Sequence, residues 1–159
     1  IGPGDLYTSI IPNILVQGIP QAIKESKATK IFVCNLMTKY GQTSGFSVED
    51  HINVLEEYMK DGLDYVIVNN QKPAEEALAK YEKKHNVRPV VFSGKKISKK
   101  IKIVKAPLLK NVIARVQKGD TLARSLIRHD PEKLAKLIMK LSQKMPLLKF
   151  FAWPGLEEE

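Results

Sequence analysis

Residues 30–35 read KIFVCN and residues 64–70 read DYVIVNN. Each is a short, unbroken apolar run rich in β-branched residues, and each ends in asparagine. A strand with one wet face alternates apolar and polar residues. A run without alternation predicts a strand covered on both faces, as in a parallel sheet between helices. The segment between them, SVEDHINVLEEYMK (47–60), predicts a helix. Ser47 is its cap, and Asp50 holds the capping-box position where Glu or Gln is commoner. Val48, Ile52, Leu55 and Met59 recur at helical spacing and predict the buried face. Strand, helix and strand in this order make a parallel unit with a right-handed crossover.

The same cycle continues toward the carboxyl end. Pro73 opens a predicted helix, AEEALAKYEKKH, that Asn86 ends. VRPVVF (87–92) reads as a third strand, with Pro89 placing it at an edge or leaving residue 90 onward as the paired part. Ile101 to Leu109 reads as a fourth strand and Asn111 to Val116 as a short fifth. A final helix follows in RHDPEKLAKLIMKLSQK, with Asp130 as cap, Pro131 at its first position and Glu132 in its first turn. Toward the amino end, IGPGDLYTSIIPN joins a glycine turn to a helix. Asp5, Thr8 and Ser9 are available as caps, and Ile10, Ile11, Ile14 and Leu15 form an apolar stripe. Gly18 interrupts it, and GIPQAIKES predicts a second short helix. The expected class is α/β: a Rossmann-like three-layer fold with a mainly parallel sheet. In such folds a glycine turn entering a helix follows a strand, and here that strand is missing from the sequence.

The 159 residues are enough for one domain with a single sizeable core. An apolar share of 43% and a charged share of 27% are those of a folded chain. No apolar run approaches the roughly 20 residues of a membrane helix, and no signal peptide opens the sequence, so no membrane partner is expected. The lone Cys34 excludes an internal disulfide, and among Ile31, Phe32 and Val33 it reads as a buried small hydrophobe in a cytoplasmic protein. The net charge of +9 is mostly lysine. Its densest run, Lys95, Lys96, Lys99, Lys100 and Lys102, carries no interleaved aromatics, which argues for solvation and strand-edge protection over nucleic acid.

Ligands in open parallel sheets bind beyond the carboxyl ends of the strands. That rule selects three places: Gly2–Asp5, the loop after Asn35, and the turn Asn69–Asn70–Gln71. Gly2 and Gly4 with Thr8 and Ser9 present amides and hydroxyls to a phosphate, although Asp5 would repel an anion unless a cation intervenes. Asn35, Thr38, Gln42, Thr43 and Ser44 bring neutral donors and acceptors. His51, His85 and His129 lack metal-ligand spacing. His51 reads as a surface or supporting residue, His85 as favouring a helix end, and His129 as part of a helix entry. The tail MPLLKFFAWPGLEEE, apolar and then acidic, is too greasy for a free end and is expected to dock on the body or on another subunit.

GPGDLYTSIIPNILV, VCNLMT with its following glycines, DHI and RHDPEKLAKLI, in that order, resemble the carboxyl-terminal half of the YvcK/CofD-like family. The resemblance covers residues 1–144, leaving 145–159 as tail, and is nearer the YvcK branch than the 2-phospho-L-lactate transferases. It implies a cytoplasmic Rossmann-like protein, linked to carbon metabolism and cell shape, that binds a nucleotide or nucleotide sugar. The alternatives are a transferase of the 2-phospho-L-lactate type and, third, a basic nucleic-acid module. Carried over onto this sequence, the ligand-binding residues are Gly2, Gly4, Tyr7, Thr8, Ser9, Asn13, Asn35, Met37, Thr38 and Thr43, with the cofactor open and a divalent metal compatible. The family's amino-terminal half, with its glycine-rich loop and acidic residues, is the expected partner of this one. An unpaired strand edge also predicts a homo-oligomer. Two departures stand out. Asp5 replaces the usual serine, and Tyr40–Gly45 replaces a Pro-Gly-Glu-Thr-Asp-Gly-like loop, removing carboxylates of a kind able to hold a metal or a ribose.

Overall fold

A computed structural model describes residues 1–60, 62–79, 87–110 and 127–142. The expected strand Asn111–Val116, the helix end at Asn86, His85 and the apolar tail lie outside these residues. The strands β1 (Ile31–Val33), β2 (Tyr65–Asn69) and β3 (Lys102–Ala106) form a parallel sheet in the order β1-β2-β3. Ile31 is level with Tyr65, and Tyr65 with Lys102. A five-residue π-helical turn, Leu6–Ile10, leads into α1 (Ile11–Ile14), followed by α2 (Ile19–Glu25), α3 (Val48–Met59) and α4 (Pro131–Ser142).

Side chains of a strand point alternately to its two faces, and here both faces are covered. Phe32, Cys34, Val66 and Val68 enter a core with Leu6, Ile10, Ile14, Ile52, Leu55 and Met59. Ile31, Val33, Ile67 and Ala106 enter a second core with Leu134, Leu137, Ile138 and Leu141 of α4. The three layers explain why neither apolar run alternates. Each large side chain so buried contributes about 1.5–3 kcal/mol.

Both long helices start as their sequences predict. Ser47 Oγ accepts from the Asp50 amide at 3.2 Å, and Asp50 Oδ2 accepts from the Ser47 amide at 2.9 Å, so aspartate closes the box despite its shorter reach. Asp130 Oδ1 accepts from the amides of Glu132 and Lys133 at 3.0 and 3.2 Å. The main-chain bonds of Ile1 have the pattern of a parallel neighbour of β1: its nitrogen donates to Ile31 O at 2.7 Å, and its carbonyl accepts from Val33 N at 2.9 Å.

Four expectations are corrected. VRPVVF is no strand of the parallel sheet. It runs antiparallel to residues 36–38, bridging Pro89 to Met37, with Val90 N donating to Leu36 O. Proline has no amide to offer a central ladder, and the Val91 carbonyl is taken by the Val48 amide at the start of α3. Leu15 is 64% exposed because α1 ends at Ile14, before another turn could bring it inward. The Asp5 side chain makes no capping bond to the first helical turn. His51, expected near the surface, is fully buried.

The bend at Gly2 depends on the absence of a side chain. Its φ is +70°, and a Cβ there would lie 3.0 Å from the Val33 carbonyl oxygen, part of the β1 backbone. Gly2→Ala is therefore expected to lower stability by more than about 1 kcal/mol, measured by urea denaturation. An unchanged midpoint would show that the bend relaxes freely.

Candidate functional site

Because the strands are parallel, their carboxyl ends share one edge of the sheet, and the chain leaves that edge through polar segments. The Gly2–Asp5 bend departs beside β1. Asn35 follows the end of β1, and its Nδ2 donates to the Gly4 carbonyl at 2.9 Å, tying bend and loop together. At the end of β2, Asn69 Oδ1 accepts from the amides of Gln71 and Leu108 at 3.2 and 3.0 Å, and Gln71 Oε1 accepts from Leu109 N at 3.3 Å. That turn thereby holds the segment following β3.

Charge at the bend is balanced locally. Lys39 Nζ stands 3.3 Å from Asp5 Oδ2, with both side chains partly exposed. Such a pair adds little to stability, but it supplies the cation that an anion site containing Asp5 requires.

Not every residue carried over by resemblance keeps a free polar group. Thr38 Oγ1 accepts from Arg88 N at 2.9 Å, and Thr43 Oγ1 accepts from Lys39 N at 2.8 Å. Both side chains are buried and hold the loop in shape. Met37 is the residue bridged to Pro89. Asn13 Nδ2 donates to the Ser9 carbonyl at 2.6 Å, in the π-helical turn that precedes its own helix. Tyr7, Thr8 and Ser9 are exposed. The Tyr7 ring meets Phe46 edge-on at 6.3 Å, and Phe46 meets His51 edge-on at 5.5 Å, a row of rings running from the surface into the core.

His51 Nδ1 lies 2.8 Å from the Ser47 carbonyl. A carbonyl only accepts, so Nδ1 carries the proton and Nε2 keeps a lone pair. Burial lowers the His51 pKa, outweighing the Ser47 carbonyl and the Asp50 charge that raise it, and the ring is neutral at pH 7. His129 is likewise lowered, first by burial and against the Cys34 carbonyl that its ring approaches. Burial pushes the Cys34 thiol up to about 12, which removes it as a nucleophile at neutral pH.

Two groups at this site escaped the reading of the sequence. Glu49 looks like an ordinary acidic residue in a first helical turn, yet it is fully buried and binds the backbone of residues 93–95. His129 looked like helix-entry architecture. It also pairs with Leu109 and reaches β1. Both roles depend on segments 44 and 95 residues away along the chain, a separation no local pattern reports. Among the described residues no group of three or more His, Cys, Asp or Glu side chains is placed to hold a metal, and no helix is long and apolar enough to cross a membrane.

Three parallel strands between helical layers, with polar turns along the carboxyl edge, define a Rossmann-like α/β protein. The chain belongs to the CofD family, whose description, 2-phospho-L-lactate transferase CofD, it matches over residues 1–130. A Thermotoga maritima relative is 44% identical over 142 residues, 89% of this chain and 43% of its own length. The gluconeogenesis factor of Bacillus subtilis is 34% identical over 142 residues, 89% of this chain and 41% of that protein. The crystal structure of a UPF0052-family protein from Bacillus halodurans superposes with a TM-score of 0.71 at 30% identity, covering 87% of this chain and 41% of that one. The chain thus spans about two fifths of the length of these relatives.

Proposed function

We propose that this chain forms one wall of a nucleotide- or nucleotide-sugar-binding site in a cytoplasmic regulator of carbon metabolism. The observation that carries the reading is the hydrogen bond from Asn35 to the Gly4 carbonyl, which holds the glycine bend and the loop after β1 against each other at the edge where such folds bind ligands. In this reading the Gly2–Gly4 bend, Thr8 and Ser9 receive phosphate, with Lys39 offsetting Asp5, and Asn35 orients the sugar or base. Tyr7 supplies an exposed ring beside them. Thr38 and Thr43 act by holding the loop. The name of the Bacillus subtilis relative supports a link to carbon metabolism.

Titration with UDP-glucose, followed by melting temperature, tests this. A ligand at 100 times its dissociation constant adds about 2.7 kcal/mol and several degrees; no shift at millimolar UDP-glucose or UDP overturns the reading. The family description favours a second one, a transferase that moves a phospholactyl group from a nucleotide-activated donor to a deazaflavin-type acceptor. Product from that pair of substrates would select it.

A further inference from the structure

The two long helices cover opposite faces of the sheet unequally. In α3 the apolar residues Val48, Ile52, Leu55 and Met59 are all but fully enclosed. In α4 only Leu141 is buried, while Leu134, Leu137 and Ile138 pack on the second core and stay partly exposed. The next row of that helix, Ala135, Met139 and Ser142, repeats their spacing one residue on and carries no charge. All three are exposed, Met139 to 56%. Lys133, Lys136 and Lys140 occupy the other side of α4. Its apolar arc is therefore wider than the sheet beneath it covers.

The direction of α4 follows from what it packs on. It starts beside the segment after β3, where Asp130 N donates to Leu108 O at 2.7 Å and His129 bridges to Leu109. It shares a core with Ile31 and Tyr65, the first residues of β1 and β2. Ser142 thus stands toward the amino ends of the strands. Residues 143–159 lie outside the described ones, and their sequence fits the bare flank. Pro146 cannot continue a helix interior. Leu147, Leu148, Phe150, Phe151 and Trp153 follow, then the turn-forming Pro154–Gly155 and three glutamates. Residues 145–153 span up to about 30 Å when extended, against about 18 Å for the length of α4. From Lys133 to Ser142 α4 carries three lysines and no acid, the complement of Glu157–Glu159.

We propose that residues 145–153 of this chain fold back over the Ala135–Met139 flank of α4 and close the second core, with Glu157–Glu159 against Lys136 and Lys140. A segment that leaves Ser142 is already beside this surface, so its effective concentration there exceeds that of a second molecule. The assignment is independent of the nucleotide-type reading.

Trp153 is the chain's only tryptophan, so fluorescence of the full chain reports on the tail directly. Acrylamide, a neutral quencher indifferent to the +9 charge, is expected to quench it several-fold less in buffer than in urea. That protection is expected to persist on dilution, with no change of mass by light scattering. Met139→Asp alters an exposed side chain, so its circular dichroism is expected to match the parent while quenching rises toward the urea value. Leu15→Asp, on another exposed apolar residue just after α1, is expected to leave quenching unchanged. Replacing Glu157, Glu158 and Glu159 with glutamine is expected to give an intermediate value. Quenching in buffer equal to that in urea overturns the docking. Protection that vanishes on dilution together with a dimer puts a second copy on α4 and overturns the return of the chain's own tail. Protection that survives Met139→Asp, or that Leu15→Asp removes, overturns the α4 surface. A glutamine variant identical to the parent overturns the lysine contact.

Discussion

Glu49→Ala is expected to lower folding stability by about 3 kcal/mol, because it strips backbone amides of a charged acceptor in a dry place. The Glu49 side chain is fully buried near the start of α3. Both carboxylate oxygens accept from Ser93 N at 2.9 Å, and Oε1 also accepts from Lys95 N at 3.1 Å. Burial works against the charge, yet the Ser93 amide and the hydroxyls of Ser93 and Ser47 hold the carboxyl below its usual range. Glu49→Gln keeps the shape and loses the charge, so its cost is expected near half that of alanine. Urea denaturation decides the matter: an alanine variant within about 0.5 kcal/mol of the parent, the range of an ordinary surface change, would mean that the 93–95 loop is held by other contacts.

The same cluster sets the acid limit. Asp50 is lowered to about 2, first by the hydrogen bond from Lys95 and then by the amide and hydroxyl of Ser47; Lys95 Nζ lies 2.7 Å from its Oδ1. A carboxyl depressed in the folded state is protonated first in the unfolded chain as pH falls. Its contribution is therefore intact above about pH 4, the unfolded value, and is lost between there and about 2. Buried His51 and His129, both lowered by burial, add an earlier loss as pH falls below about 6.5, where the unfolded chain's imidazoles take up protons. Stability is expected to decline gently from there and more steeply below about pH 4, and Asp50→Asn is expected to flatten only the lower part of the decline.

Phe32→Ala is expected to cost about 3–5 kcal/mol, the range for emptying a fully buried aromatic position. Phe32 is completely enclosed in the middle of β1, among Leu6, Ile10, Ile52 and Leu55. Its ring also lies 3.5 Å from where a Cβ at Gly2 would stand, so the ring supports the bend from beneath. The urea midpoint should fall with little change in slope. A loss below about 1 kcal/mol would show that neighbouring side chains collapse into the space. Both this variant and Glu49→Ala act through packing rather than through ligand contact, and so they test the platform on which the site stands.

Much of that platform was legible in the residues. KIFVCN and DYVIVNN announced strands covered on both faces because full burial removes the alternation that a wet face imposes, and Ile31, Phe32 and Val33 divide between two cores as that requires. Ser47 with Asp50, and Asp130 before Pro131, marked helix starts through bonds that span three residues or fewer. VRPVVF misled because its composition is that of a strand, while its partners are a loop and a helix terminus rather than a ladder. His51 misled because polarity is a poor guide to burial when a carbonyl 2.8 Å away and an aromatic edge satisfy most of the ring.

By itself the order of residues determined the parallel α/β class, the three polar strand ends and the helix caps, since each is written in contacts between near neighbours or in the periodicity of burial. Only the tertiary structure decided that Gly4 and Asn35 are bonded, that Glu49 anchors a loop 44 residues on, and that His129 returns to the end of β1. Those pairings arise when separate segments are brought to one sheet edge. The free energy that selects them belongs to the packed core as a whole, and no short stretch of sequence contains it.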